Sequence, residues 1–348
     1  MSIRTLVVGG AGFVGSHLCD RLLSDGNEVV CVDNLVTGRL ANVDHLLGHP
    51  RFQLVEHDII EPLPLFPRLD RIYHLASPAS PPAYQRWPLE TLRVNSEGTR
   101  RLLELAEWHE ARSLFASTSE IYGDPLVHPQ YEGYRGNVST VGPRSMYDEA
   151  KRYGEAYTIA AREARGVDVR IVRIFNTYGP RMDPADGRVV SNFIVQSLRG
   201  EPLTIYGDGS QTRSFQYVDD LVEGMVRLME SSFGEPVNIG NPTELTVLQF
   251  ATLIQRQTKT TSSIVHHPLP GDDPKQRRPD ISLAKAVLDW EPRVPVEVGI
   301  ARTIEAFRTE LFGALRRSDV VYGMPALSIS RPRDRGRRSL QPVAQSGN

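Results

Sequence analysis

The sequence predicts an α/β fold, a doubly wound parallel sheet joined to a smaller, interleaved C-terminal domain. Three observations carry this. Short apolar runs rich in β-branched residues alternate with amphipathic stretches as far as residue 174. The first run, 3–9, leads into glycines at 9, 12 and 15 that open a helix. After Pro180 the alternation gives way to a different pattern.

Taken in order, 3–9 reads as a buried strand. The next helix carries Val14, Leu18, Cys19, Leu22 and Leu23 on one face. Gly9, Gly12 and Gly15 suit a tight turn, close approach of a pyrophosphate and close helix–strand packing, with Phe13 and Val14 in the first helical turn. A second strand, 28–32, ends at Asp33-Asn34. An acid at that distance from the glycines accepts the ribose hydroxyls of a dinucleotide and repels an extra phosphate there, which favours NAD over NADP. Further strands are expected at 52–55, 71–75, 113–116 and 168–174. They lead into Asp58-Ile59, an expected adenine-side contact, into Leu75-Ala76-Ser77, into Thr118-Ser119-Glu120 and into Asn176. One long helix is expected over 89–106 and another from Tyr147 to about 164. Ligands of such sheets bind at the C-terminal strand ends, where these residues fall.

Beyond Pro180, the pattern predicts a helix over 189–199, strands at 203–206 and 213–218, a helix over 220–230 and a strand at 237–239. The expected division is 1–180 for the cofactor domain, with 215–241 returning to it, and 181–214 with 242–312 for the substrate domain. Residues 313–348 hold a basic run, Arg331 to Arg338, and read as a flexible tail.

Within the second long helix, Tyr147 and Lys151 are four apart and share a face. A free phenol titrates near about pH 10, and an ammonium beside it favours the phenolate. Such a pair can take a proton from a substrate hydroxyl while a nicotinamide takes the hydride.

Composition narrows the classes. The chain has 348 residues, 40% hydrophobic and 24% charged, with net charge -2. That balance gives no reason to expect nucleic acid or an anionic membrane as partner. No apolar run approaches the roughly 20 residues that span a bilayer, and the N-terminus has no signal-peptide pattern. Cys19 and Cys31, the only cysteines, both fall in buried segments and read as free thiols, which fits a reducing cytoplasm. His45 and His49 have helical spacing, but Pro50 follows and no third ligand is evident, so no metal site is expected.

The glycine pattern with Tyr147 and Lys151 resembles the extended short-chain dehydrogenase/reductase family, whose first domain is a Rossmann sheet. Longer strings resemble its UDP-glucuronate decarboxylase branch: Ala76-Ser77-Pro78-Ala79-Ser80-Pro81 with Tyr84, Thr118 to Pro125, Gly142 to Glu149, Arg173 to Met182, Asp186 to Phe193, and Asp272-Asp273-Pro274 with Arg277 to Asp280. The likeness covers about residues 3 to 310. It implies that bound NAD oxidises the sugar 4-hydroxyl, that the β-keto acid loses CO₂, and that reduction then gives UDP-xylose, with NAD recycled. Tyr147 would be the base and Lys151 its partner, with Thr118 or Ser119 bonding the same oxygen. Glu120 would handle a proton beside the sugar, or else be a strand-end acid bonded to backbone. Arg277 would grip the sugar carboxylate, or else pair with Asp273 or Asp280. Asn176, Asn192, Tyr206 and Arg213 are candidates for the UDP end. The resemblance also implies a homodimer through helices near 90–106 and 147–164.

The chain departs from the branch at Arg93-Val94-Asn95, where Lys-Thr-Asn is usual, and at Arg86-Trp87-Pro88, where Tyr-Asn-Pro is usual. A sugar-nucleotide 4,6-dehydratase or a 4-epimerase shares the Tyr/Lys pair. A non-catalytic NAD sensor would have no use for Tyr147, Lys151, Ser119 and Glu120 together.

Overall fold

The computed structural model describes residues 2–268 and 276–319. Its centre is a seven-stranded, wholly parallel sheet: β1 (Arg4–Val8), β2 (Glu28–Asp33), β3 (Phe52–Glu56), β4 (Arg71–His74), β5 (Arg112–Thr118), β6 (Val169–Ile174) and β11 (Pro236–Ile239), in the spatial order β11-β6-β5-β4-β1-β2-β3. The order reverses between β1 and β4, and β1 registers with both, Val8 lying beside Val32 and His74. That reversal opens a crevice at the C-terminal strand ends. Apolar residues bury both faces, as parallel strands require, and Val7, Val32, Ile72, Leu114 and Val172 are fully enclosed.

Helices α1 (Phe13–Ser24) and α7 (Val218–Glu230) pack together against the sheet. Helices α4 (Thr99–His109) and α5 (Ser145–Arg165) do likewise. The helix expected over 89–106 is interrupted. It begins as α3 (Pro88–Arg93), after the short α2 (Pro81–Arg86), widens into a π turn at Val94–Gly98 and resumes as α4. Asn95 donates to Thr91 O and to Ser77 Oγ, each at 2.9 Å, so its side chain serves the neighbouring loop as well as the helix.

The strand expected at 213–218 is also two. β9 (Thr212–Ser214) joins β12 (Glu244–Thr246) and β14 (Gln276–Arg277), whereas β10 (Gln216–Tyr217) pairs with β7 (Thr177–Tyr178). Phe215, between them, stacks on Phe250 with centroids 4.3 Å apart. The buried Gln216 amide then bonds Thr177 Oγ1 and Ile239 O. The chain thus changes partners at one buried ring. The remaining elements are β8 (Leu203–Tyr206), paired with β13 (Ile264–His267), and the helices α6 (Val189–Arg199), α8 (Val247–Thr258), α9 (Ser282–Leu288) and α10 (Val296–Asp319).

By their contacts, residues up to Arg308 form one unit and those from Thr309 another. α10 runs past the tail boundary expected at 313, and the sequence places no proline to stop it before Pro325. The basic run from Arg331 and the string Asp272-Asp273-Pro274 lie outside the described residues.

Candidate active site

A cavity of about 910 Å³ runs across the C-terminal strand ends, from the turn after β1 to β8 and β9. Every residue named above as a catalytic, cofactor or substrate candidate lines it.

At the cofactor end, Gly9 has φ +80 and lies so close to the next loop that a Cβ there would meet Ala76 N at 2.7 Å. A Cβ on Gly15 would meet Gly9 O at 2.1 Å. The turn and helix are therefore closer than any side chain permits. Among the described residues no side chain caps α1, its first turn holds no acid, and Gly12 to Gly15 line the cavity, which leaves the uncapped helix N-terminus there as a donor site for an anion. Asp33 closes this end. Its carboxylate accepts Ala11 N and Leu35 N, each at 2.9 Å. Burial raises its pKa, against the pull of those N–H groups. Asn34 donates to Asp58 Oδ2 at 2.9 Å, and Asp58 Oδ1 accepts Ile60 N at 3.0 Å, which fixes the loop carrying Ile59. Uncapped N–H donors, a cradle no Cβ could enter and an acceptor at the end of β2 together fit NAD.

The other half is built by β5, α5 and β14. Thr118 ends β5, and its Oγ1 accepts Glu120 N at 3.2 Å. Glu120 is clasped by two guanidinium groups, Arg277 Nη1 on Oε1 and Arg144 Nη2 on Oε2. Burial alone would raise its pKa, but the charges of Arg277 and Arg144 outweigh it and hold the carboxyl below the usual range. Glu120 is thus no backbone-bonded acid. Among the described residues the Arg277 guanidinium has no ion pair with Asp280, and its other side-chain hydrogen bond is Nη2 to Gly123 O at 3.4 Å; Asp273 lies outside the described residues. In the protein alone the Arg277 guanidinium is held on Glu120.

Tyr147 is buried and stacks on Tyr84, with centroids 5.1 Å apart and planes within 10°. Lys151 Nζ donates to Ala116 O at 2.8 Å and lies 5.8 Å from the Tyr147 ring centroid. The expected lowering of the phenol pKa is not met in this protein alone. Burial pushes the Tyr147 phenol well above its ordinary value, opposed chiefly by a hydrogen bond with Thr118. Burial also drives Lys151 down to about 7, so its own charge is not secure at neutral pH. Desolvation disfavours both charged forms, an effect that i, i+4 spacing does not reveal.

Among the candidates for the UDP end, Asn192 Nδ2 bonds Gly187 O at 3.0 Å and Arg213 Nη1 bonds Thr212 O at 2.8 Å. Tyr206 stands at the rim, 46% exposed. Residue order alone marks no role for Arg144, Tyr84, Arg188 or Asp148. Three of them line the cavity. Asp148, the buried residue that follows Tyr147 on α5, has its pKa raised to about 7 by burial and by the negative charge of Glu120. Tyr84, Arg144 and Arg188 sat inside or beside strings already singled out, but only contact with Tyr147, Glu120 and Asp186 marks them.

The model of the NAD dependent epimerase/dehydratase family matches residues 5–240. UDP-glucuronic acid decarboxylase 1 of Danio rerio is 56% identical over 308 residues, covering 88% of this chain and 73% of that protein. UDP-glucuronic acid decarboxylase 6 of Arabidopsis thaliana is 52% identical over 311 residues, covering 89% of this chain and 90% of that one. Among solved structures, UDP-glucuronic acid 4-epimerase from Bacillus cereus, in complex with UDP-glucuronic acid and NAD, superposes with TM-score 0.79 at 28% identity. It covers 88% of this chain and is covered in full.

Proposed function

The chain belongs to the NAD dependent epimerase/dehydratase family, and on that premise we propose that it decarboxylates UDP-glucuronate to UDP-xylose through a 4-keto sugar, with NAD recycled. The observation that carries this is identity above one half, over some nine-tenths of the chain, to proteins named for that reaction.

Residues 1–180, with the returning segment 215–241, hold NAD, and 181–214 with 242–312 hold the sugar nucleotide. Gly9, Gly12, Phe13, Val14 and Gly15 take the pyrophosphate and Asp33 a ribose; Asn34, Asp58, Ile59, Leu75 and Ser77 complete the cofactor contacts. Bound NAD⁺ supplies the acceptor and later the donor of hydride at C4 of the sugar. Tyr147 takes the proton of the 4-hydroxyl, Thr118 or Ser119 bonds the same oxygen, and the Lys151 ammonium steadies the phenolate. Glu120 relays a proton at the ring. Arg277 and Arg144, which keep it ionised, also offset the second negative charge that the substrate carboxylate brings. Asn176, Asn192, Tyr206 and Arg213 face the UDP.

Two copies pair through α3–α4 and α5. The exposure of Leu89, Trp108 and Tyr153 on those helices supports this, Trp108 being 81% exposed. A cytoplasmic location fits the two free thiols. Among the described residues, no helix is long and apolar enough to cross a membrane.

The resemblance to a 4-epimerase solved with UDP-glucuronic acid favours one other reading, inversion at C4 with the carboxylate kept. Incubation with UDP-glucuronate and NAD⁺ separates the two. Release of CO₂ with a UDP-pentose supports the decarboxylase. UDP-galacturonate as the product, with no CO₂, sinks it.

A further inference from the structure

Beside Lys151 lies an ion pair that the chemistry above does not use. Glu155 stands one turn beyond Lys151 on α5, on the same helix face. One guanidinium holds both of its oxygens, Arg173 Nε on Oε1 at 2.9 Å and Nη2 on Oε2 at 2.7 Å. The Ser117 hydroxyl donates to Oε1 at 2.5 Å. The two charged side chains are only 12% and 10% exposed.

Arg173 is fixed from behind. Its Nη1 donates to Tyr122 OH at 3.0 Å and Glu132 O at 2.8 Å, and its guanidinium lies 5.2 Å from the Tyr122 ring centroid. Adjacent residues of β5 therefore serve adjacent charges. Ala116 O receives the Lys151 ammonium, and Ser117 Oγ bonds the Glu155 carboxylate. A buried pair of this kind is a weak source of stability, since desolvation consumes most of its Coulomb energy. Its placement beside Lys151 gives it another use.

The ionisable groups around Lys151 are few. Among the described residues, Tyr147, Asp148 and Glu155 share its helix, the Tyr147 ring centroid lying 5.8 Å from Nζ, and His74 comes from β4; Arg173, on β6, reaches this cluster through Glu155. Burial keeps His74 neutral, with a pKa of about 3. Of the influences on the Lys151 charge, burial removes the proton and Glu155 retains it.

We propose that Glu155, anchored by Arg173 and Ser117, is a positioning residue that keeps Lys151 an ammonium next to Tyr147. The proposal rests on the reading of Lys151 as partner of the base. It assigns Arg173 a restraining part: by sharing the carboxylate, Arg173 fixes Glu155 in place but weakens its field at Lys151.

The chain has only four lysines, Lys151, Lys259, Lys275 and Lys285, against many arginines. Full-length protein labelled with ¹³C at lysine Cε therefore gives four resolvable titrations, and the signal absent from Lys151→Met identifies Lys151. In Glu155→Gln the Lys151 midpoint is expected to fall by about one pH unit, because the carboxylate charge is gone while Arg173 remains. Glu155→Asp should keep it near wild type. Arg173→Met should raise it, since a like charge leaves and the carboxylate faces the ammonium unshared. That opposite movement keeps the test decisive should Glu155→Gln fail to fold. A Lys151 midpoint unchanged in Arg173→Met, or in folded Glu155→Gln, overturns the proposal. Turnover by Lys151→Met is a separate readout: full activity there removes Lys151 from the reaction and leaves the titration result standing.

Discussion

Tyr147→Phe is expected to lower kcat for UDP-glucuronate by about a thousandfold or more, with NAD affinity and thermal stability near wild type. The ring stays, so its stacking on Tyr84 at 5.1 Å is kept. The hydroxyl is lost, and with it the group that takes the 4-hydroxyl proton. Because burial lifts this phenol in the protein alone, the wild-type rate should rise with pH over the range in which the phenolate forms. A rate profile of the substituted enzyme, with NAD binding measured by calorimetry, checks both points. Unchanged turnover would remove Tyr147 from the reaction.

Glu120→Gln should have the second largest effect, because it touches chemistry and stability together. Arg277 and Arg144 both reach this carboxylate in a buried setting. Loss of its charge leaves them facing each other, at a cost of about 3 kcal/mol in stability. The pH dependence has a definite sign. The folded-state pKa of Glu120 lies below its unfolded value. Its contribution is therefore fully present above the unfolded carboxylate range, about pH 4.3, and disappears as the pH falls through the folded value. The difference in denaturant midpoint between wild type and Glu120→Gln should thus be largest near neutrality and narrow in acid. Turnover should fall by about a hundredfold or more. A difference that widened in acid would mean that Glu120 is not held ionised by the two arginines.

Much of this could be read from residue order. The glycine turn, the acid at the end of β2 and the alternation of strand and helix follow from local patterns, since each depends on neighbours close in sequence. The break at Phe215 is set by a ring, Phe250, on a distant helix, and periodicity within 213–218 is blind to it. The π turn at Val94–Gly98 answers to Ser77 in another loop. Electrostatics was the least legible. Spacing placed Tyr147 and Lys151 together but said nothing of the burial that shifts both against the charged form. Nor did it show that Arg277 and Arg144, far apart in the chain, meet on one carboxylate. Likewise the Glu155–Arg173 pair spans α5 and β6, and no motif announces it.

The acid carbon leaves from a transient C4 ketone, and the hydrogen removed from C4 is afterwards restored within the same site. Turnover of UDP-glucuronate deuterated at C4, in ordinary water and with unlabelled NAD⁺, tests it most directly. UDP-xylose with deuterium back at C4 is the expected product. A product that keeps its carboxylate, or UDP-xylose whose C4 deuterium has been exchanged away, would contradict it.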